Sequence, residues 1–411
     1  MTDPIVLRSE IISLLQSGGL GNAGTSGSES LASLNSQLIS LTTRVAKLEG
    51  STTYNEETAT ADSFWYDDSL GICAVSGSII LTSSLNAGSS IKLLTIDSDD
   101  HLPPNTDFLG VASAYMSNAG VGQEPTQLAL SFDGLNLMAT SEAYIPASSS
   151  SSWYVEFHSM WIQKGFPNSS STVQNIGWAS GVSGSNNYVY TITSGGVIFV
   201  FAYVQNNSST TIISNASSDI ANSYTFINDS TASIGQSSTK YSDGTCKMGF
   251  ITFNTSSGAN CIKVAPSEKS GVSYYGFGCL LSKTDSAITL AQTSKNNNFN
   301  TNFFGTAKGP MFSTILNYNG LTIIQIRATT KELYYNTNAF SPTYIISPEL
   351  LAEDISASFF PIYCGSNLGG DSAGVIPVNV SNGKVIIQLK PDDVSGYLTM
   401  YGTIILIKKT A

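Results

Sequence analysis

The stretch Thr126–Thr140 reads TQLALSFDGLNLMAT. Two apolar runs of strand length flank Asp133-Gly134. Asp-Gly between such runs signals a hairpin, because the tight turn needs a positive φ that glycine supplies without steric cost. The same grammar recurs at Tyr318-Asn319-Gly320-Leu321 and Ser381-Asn382-Gly383-Lys384. From Asp67 onward helical periodicity is almost absent, and short apolar runs alternate with Gly, Asn, Asp and Ser. Many short strands at such spacing predict sandwiches or barrels.

Two parts of this β region resemble each other. The first runs IKLLTIDSDDHLPPNTDFLGVASAYMSNAG, then TQLALSFDGLNLMAT, then SSSSWYVEFHSMWI. The second runs YIISPELLAEDISASFFPIYCGSNLGGDS, then VIPVNVSNGKVIIQL, then SGYLTMYGTIILI. Each has a proline-bearing loop, a strand, a Gly/Asn loop, a strand, an Asp-Gly or Asn-Gly turn, a strand, and a closing pair containing Tyr. They read as two copies of one β-sandwich type, over 67–165 and 309–411. Residues 166–308 form a β-rich middle domain, richer in Asn and Ser and less clearly repeated.

Ahead of the β region the pattern differs. Leu31, Leu34, Leu38, Leu41, Val45 and Leu48 alternate three- and four-residue spacings, the a/d pattern of a coiled coil. Ser26 with Glu29 forms a capping box, and Gly50 stands where a helix favours a left-handed residue. Arg44 and Glu49 occupy g and e positions, which pair across neighbouring helices; with Val45 and Leu48 they match the Arg-apolar-x-x-apolar-Glu pattern of short three-stranded coiled coils. One apolar seam of this length is marginal alone, so it implies partner chains. A parallel homotrimer is expected; a two-stranded zipper or a helix packed on its own domain is the alternative.

Composition narrows the function. The chain has 411 residues, enough for two or three domains, with 11% charged and 10% aromatic residues and a net charge of −11. No Lys/Arg-rich block exists, which argues against nucleic-acid binding. The longest apolar run, Val197–Val204, is strand length and far short of the roughly 20 residues of a membrane span. The start, MTDPIVLRSEI, is acidic and interrupted and does not read as a signal peptide. Five scattered cysteines without a CxxC spacing read as small buried residues of a reduced compartment. A soluble product made in a cytoplasm, without membrane insertion, is expected.

Residues 1–17 carry a short apolar patch, Ile5, Leu7, Ile11, Ile12, Leu14 and Leu15, separated from the heptads by Gly18, Gly19, Gly21, Gly24 and Gly27. A small apolar element on a glycine leash has no core of its own and docks either onto a larger assembly or back onto its own protein. The leash holds a formal GxGxxG at Gly19–Gly24, but no strand precedes it and no acidic residue takes the ribose position, so it is not a dinucleotide site.

The order of short anchor, glycine leash, heptad stretch and small antiparallel domains resembles bacteriophage tail-fibre and receptor-binding proteins. That resemblance implies a mainly β fold class: an N-terminal anchor and short trimeric α-helical coiled coil followed by tandem antiparallel, jelly-roll-like β-sandwich domains. It implies a virion-anchoring segment and leash over 1–25, a coiled coil over 26–50, a linker over 51–66, and the three β domains above. It further implies a homotrimer localised to the virion and assembled in the host cytoplasm. The N-terminus would bind a portal, tail, baseplate or capsid protein, and the C-terminal heads a host-surface glycan or protein. Alternatives are a purely structural head, collar or baseplate fibre, a polysaccharide depolymerase and a bacterial trimeric adhesin. His-x-His metal motifs of some relatives are absent.

Chemistry leaves few marks. No HExxH or CxxC is present, and the two histidines, His101 and His158, are far apart in sequence, so no enzyme, cofactor or metal is expected. His158, in YVEFHSMW, reads as a hydrogen-bonded sheet residue. Asp97-Ser98-Asp99-Asp100-His101 is the densest acidic cluster; it lacks the EF-hand spacing and reads as a solvated turn before Pro103, with calcium the alternative. Sugar binding needs aromatic faces beside amides and hydroxyls. Candidates are Trp178, Asn186, Asn187 and Tyr188 in the middle domain and, preferred, Tyr334, Tyr335, Asn336 and Asn338, where a strand runs into a polar loop. Asn-x-Ser/Thr sequons such as Asn168 and Asn379 follow from composition.

Overall fold

Seven strands build the first sheet: β1 (Thr60–Asp67), β2 (Ile72–Leu81), β3 (Ser89–Thr95), β4 (Val111–Met116), β5 (Thr126–Asp133), β6 (Asn136–Ser141) and β7 (Trp153–Ile162). They pair antiparallel in the order β1-β2-β7-β4-β5-β6-β3. The final strand lies between β2 and β4, while β4, β5 and β6 form a meander. The hairpin signal at Asp133-Gly134 is a tight turn, with Asp133 opposite Asn136 and Gly134 at φ +56°. The structure, a computed structural model, describes residues 60–116, 126–146, 153–166, 173–175, 187–205, 212–213, 224–225, 231–254, 261–265, 273–282, 312–318, 320–329, 343–346, 358–366, 374–381, 384–388 and 398–407.

The middle sheet has β8 (Val173–Asn175), β9 (Tyr188–Ser194), β10 (Val197–Gln205), β11 (Ile212–Ile213), β12 (Tyr224–Thr225), β13 (Thr231–Lys240), β14 (Cys246–Asn254), β15 (Cys261–Ala265) and β16 (Ser273–Ser282). The last sheet has β17 (Phe312–Tyr318), β18 (Leu321–Thr329), β19 (Thr343–Ile346), β20 (Ser358–Ser366), β21 (Gly374–Ser381), β22 (Lys384–Gln388) and β23 (Leu398–Ile407). The last sheet follows β17-β18-β23-β20-β21-β22-β19, the order of the first. The middle sheet contains the same path, β9-β10-β16-β13-β14-β15-β11, with β8 added outside β9 and β12 paired to β16. One seven-stranded plan therefore occurs three times in tandem. Strand β1 begins at Thr60, inside the stretch expected to be a linker over 51–66.

The three sheets share a core. Buried Leu, Ile, Phe and Tyr from all three belong to a single apolar cluster, and Thr58–Ala411 forms one compact unit. Each pair of sheets touches. Tyr275 on β16 donates its hydroxyl to Met160 O on β7 at 2.5 Å, and the His158 ring lies edge-on to Phe277 with centroids 5.2 Å apart. Gln325 on β18 donates to Cys279 O on β16 at 3.4 Å, and Phe199 packs on Tyr318 at 5.5 Å. Gly320, at φ +83° in the β17–β18 turn, lies against Trp65 of β1: a Cβ there would stand 2.8 Å from the indole nitrogen. Full burial of each large side chain contributes about 1.5–3 kcal/mol, so this shared seam is a major source of stability.

Counting pairs inward from each β1–β2-type hairpin aligns the repeats. The fifth pair is Ser76 with His158, then Phe201 with Phe277, then Gln325 with Thr403. All six side chains are buried. In the middle repeat Gly235 faces Gly278 at a bulge in β13. A Cβ on Gly235 would stand 2.0 Å from Phe277 O, and one on Gly278 2.3 Å from Ile234 O, so only glycine permits this close approach of two backbones.

Two parts of the expected architecture are corrected. Among the described residues there is no α-helix, so a helical coiled coil is not supported as an element of this fold. A lone a/d seam of that length forms a stable helix only against partner helices, so its periodicity was an insufficient warrant. Residues 26–50, with Leu31, Leu34, Leu38, Leu41, Arg44, Val45, Leu48 and Glu49, lie outside the described residues. So do Ile5, Leu7, Ile11, Ile12, Leu14 and Leu15. The β domains are also not two-layered jelly-roll sandwiches: each is one continuous, curled antiparallel sheet, because its last strand joins the two halves edge to edge.

Candidate functional site

The densest polar constellation among the described residues sits on the first repeat, where the β1–β2 connection meets the segment after β3. Asp67 accepts from Ser69 N at 2.9 Å and Leu70 N at 3.2 Å through Oδ1, a side-chain-stiffened turn that fixes the neighbouring Asp68. Gly71 closes the turn at φ +64°. Opposite it, Ser98 caps a short 3-10 turn, Asp99–His101, accepting from Asp100 N at 3.2 Å. Its exit is tied down by Trp161 Nε1, which donates to His101 O at 2.8 Å, and by Lys164 N, which donates to Leu102 O at 2.5 Å.

His101 joins the two turns. Its Nδ1 is 2.7 Å from Asp97 Oδ1 and its Nε2 is 3.1 Å from Asp68 Oδ1. A carboxylate only accepts, so neutral imidazole satisfies one of these contacts and imidazolium both. Gln163 Nε2 donates to the same Asp68 oxygen at 2.9 Å. The His101 side chain is 8% exposed, while those of Asp68 and Asp97 are 67% and 53% exposed. Tyr66 stacks on the imidazole with centroids 4.0 Å apart and leaves 43% of its surface in solvent. Behind it Phe64 stacks on the buried Trp161 at 6.2 Å. The result is a rigid aromatic step edged by two oriented carboxylates.

The acidic run 97–101 is thus the expected turn before Pro103, but built around a histidine that bridges two carboxylates. Among the described residues no group of His, Cys, Asp or Glu is arranged to hold a metal ion. His158 is a buried sheet residue; burial pushes its pKa down to about 3, so it stays neutral at ordinary pH. Burial pushes the thiols of Cys73 and Cys246 up to about 12, and that of Cys279 upward too, which leaves them protonated and poor nucleophiles.

Tyr334, Tyr335, Asn336 and Asn338 lie outside the described residues, as do Trp178 and Asn186. Asn187 is used structurally, accepting from Gln205 N at 2.9 Å. Tyr188 is 5% exposed and stacks on Tyr190 and Tyr203, so it belongs to the core and offers no free face. Sequence reading missed Tyr66 and Asp68, whose signal is the run Phe64-Trp65-Tyr66-Asp67-Asp68, three aromatics passing directly into two acids.

No protein-family profile matches the chain, and no curated protein sequence does. Among solved structures it is similar to an IolB-like protein from Salmonella typhimurium LT2. That match has 12% identity and a TM-score of 0.12, and covers 55% of this chain and 91% of the other. A likeness at that score carries no argument about fold or function.

Proposed function

We propose that this protein is a virion component that attaches a virus, in the first instance a bacteriophage, to a glycan on the host surface, and that it acts by binding and not by catalysis. The observation that carries the reading is the threefold use of one sheet plan on a shared core. A rigid β scaffold that repeats its loops suits adhesion, because weak sites displayed together gain avidity without new contacts. The low charge and abundant Ser and Asn suit contact with uncharged, hydroxyl-rich surfaces.

The test pairs two measurements. Purified chain is titrated onto host cells and onto isolated host-surface polysaccharide, and the same chain is used to compete with particles for adsorption. Saturable binding with lowered adsorption is expected. Antibodies that decorate particles without blocking adsorption, together with no polysaccharide binding, would instead identify a purely structural virion part. Release of reducing ends from the polysaccharide would make it a depolymerase.

A further inference from the structure

We propose that the step formed by Tyr66, Asp68, Asp97 and His101 is a sugar-binding site, the place where the glycan attachment inferred above occurs, and the inference rests on that reading. Three observations point there. First, the site is not a requirement of the fold. The same seven-stranded plan occurs three times, yet both histidines of the chain lie in the first repeat, so no other repeat can build this clasp. The β1–β2 turn that supplies Asp68 is longer than its counterparts: Asp67 pairs with Ile72 across four residues, whereas Ser194 pairs with Val197 and Tyr318 with Leu321 across two.

Second, the ring is presented and held. Tyr66 and Tyr144 are the large hydrophobic residues that stand exposed among the described residues, and Tyr66 alone is backed by a stacked imidazole. A ring fixed on one side and wet on the other offers an apolar face to the C–H face of a sugar, with a hydroxyl at its edge.

Third, the carboxylates are aimed. Each of Asp68 and Asp97 uses Oδ1 on His101, and Asp68 Oδ1 also takes Gln163, while the two side chains remain 67% and 53% exposed. Acceptors held in place beside an aromatic face match vicinal hydroxyls, and their prior ordering lowers the entropic cost of binding. Paired carboxylates beside a ring also suit a quaternary ammonium group. The site is assigned to a sugar because each carboxylate already turns one oxygen onto the His101 ring that lies between them.

The test uses the full chain with soluble glucose, galactose, rhamnose and N-acetylglucosamine oligosaccharides, and choline as the cationic probe. A bound oligosaccharide is expected to slow nitration of Tyr66 at least fivefold while Tyr144 reacts unchanged, as read by peptide mass mapping of the unmutated protein. Tyr66→Ala and Asp97→Asn are each expected to weaken that binding at least tenfold, and Tyr144→Ala to leave it unchanged. Sugar binding without protection of Tyr66 would overturn this site and leave the attachment reading standing. Protection by choline and by no sugar would overturn the ligand class. No binding of any sugar, and none of host polysaccharide, would overturn the attachment reading together with this one.

Discussion

The first and middle repeats follow one strand order but fill the shared seam with different chemistry. At the fifth pair the first repeat places Ser76 and His158 where the middle repeat places Phe201 and Phe277. The two meet: the His158 ring stands edge-on to Phe277. The backbone plan thus tolerates polar and apolar partners at one position, provided the polar side is desolvated in a neutral form and packed. The middle repeat also depends on a close backbone approach at Gly235 and Gly278; at the position of Gly278 the first repeat has Ser159, whose hydroxyl donates to Leu109 O at 2.7 Å.

The contrast is most readily broken at those glycines. Gly278→Val sets a branched side chain against Ile234 O and is expected to cost about 4 kcal/mol, read as a drop in the urea midpoint; a loss below about 1 kcal/mol would mean the strands can part freely. Phe277→Ala opens a cavity beside His158 and is expected to cost about 3 kcal/mol, with water reaching the imidazole.

A third difference is pH dependence, which belongs to the first repeat alone at this position. Burial lowers the folded pKa of His158 to about 3, below its ordinary value near 6.5, so the folded state binds fewer protons than the unfolded one. Its contribution is complete above about pH 6.5 and is lost as pH falls toward 3, at up to about 1.4 kcal/mol per pH unit. His158→Phe, which copies the middle repeat, is expected to flatten that slope between pH 6 and 4 in equilibrium unfolding; an unchanged slope would assign the acid sensitivity to other groups. The smallest effect is at the surface: Tyr144→Ala is expected to change stability by less than about 0.5 kcal/mol, since the ring is 61% exposed.

The hairpins were legible because their signal is local. Asn-Gly at 319–320 sits in a two-residue turn with Tyr318 opposite Leu321, and Ser381 pairs with Lys384 across Asn382-Gly383. The likeness between the first and last β segments corresponds to one strand order. The middle repeat was harder to recognise because its hairpin is Gly-Gly, it carries two added strands, and its seam side chains are aromatic where the first repeat has Ser, His and Glu. The heptad pattern is a weaker signal for a different reason: periodicity reports a possible face, and only a partner surface decides whether that face is used. The clasp on the first repeat was not legible as a site, since Asp68 and His101 stand 33 residues apart and nothing local announces their meeting.

The position of β7, β16 and β23 bears on how the chain is made. In every repeat the strand synthesised last is not at the edge of its sheet but wedged between two earlier ones, β2 and β4, β10 and β13, β18 and β20. Until it leaves the ribosome, two half-sheets wait with open flanks, exposed to mispairing with neighbours of the same plan. A nascent chain released just short of Leu398 would therefore carry two closed repeats and one split one, a species liable to be trapped by strand exchange with its siblings.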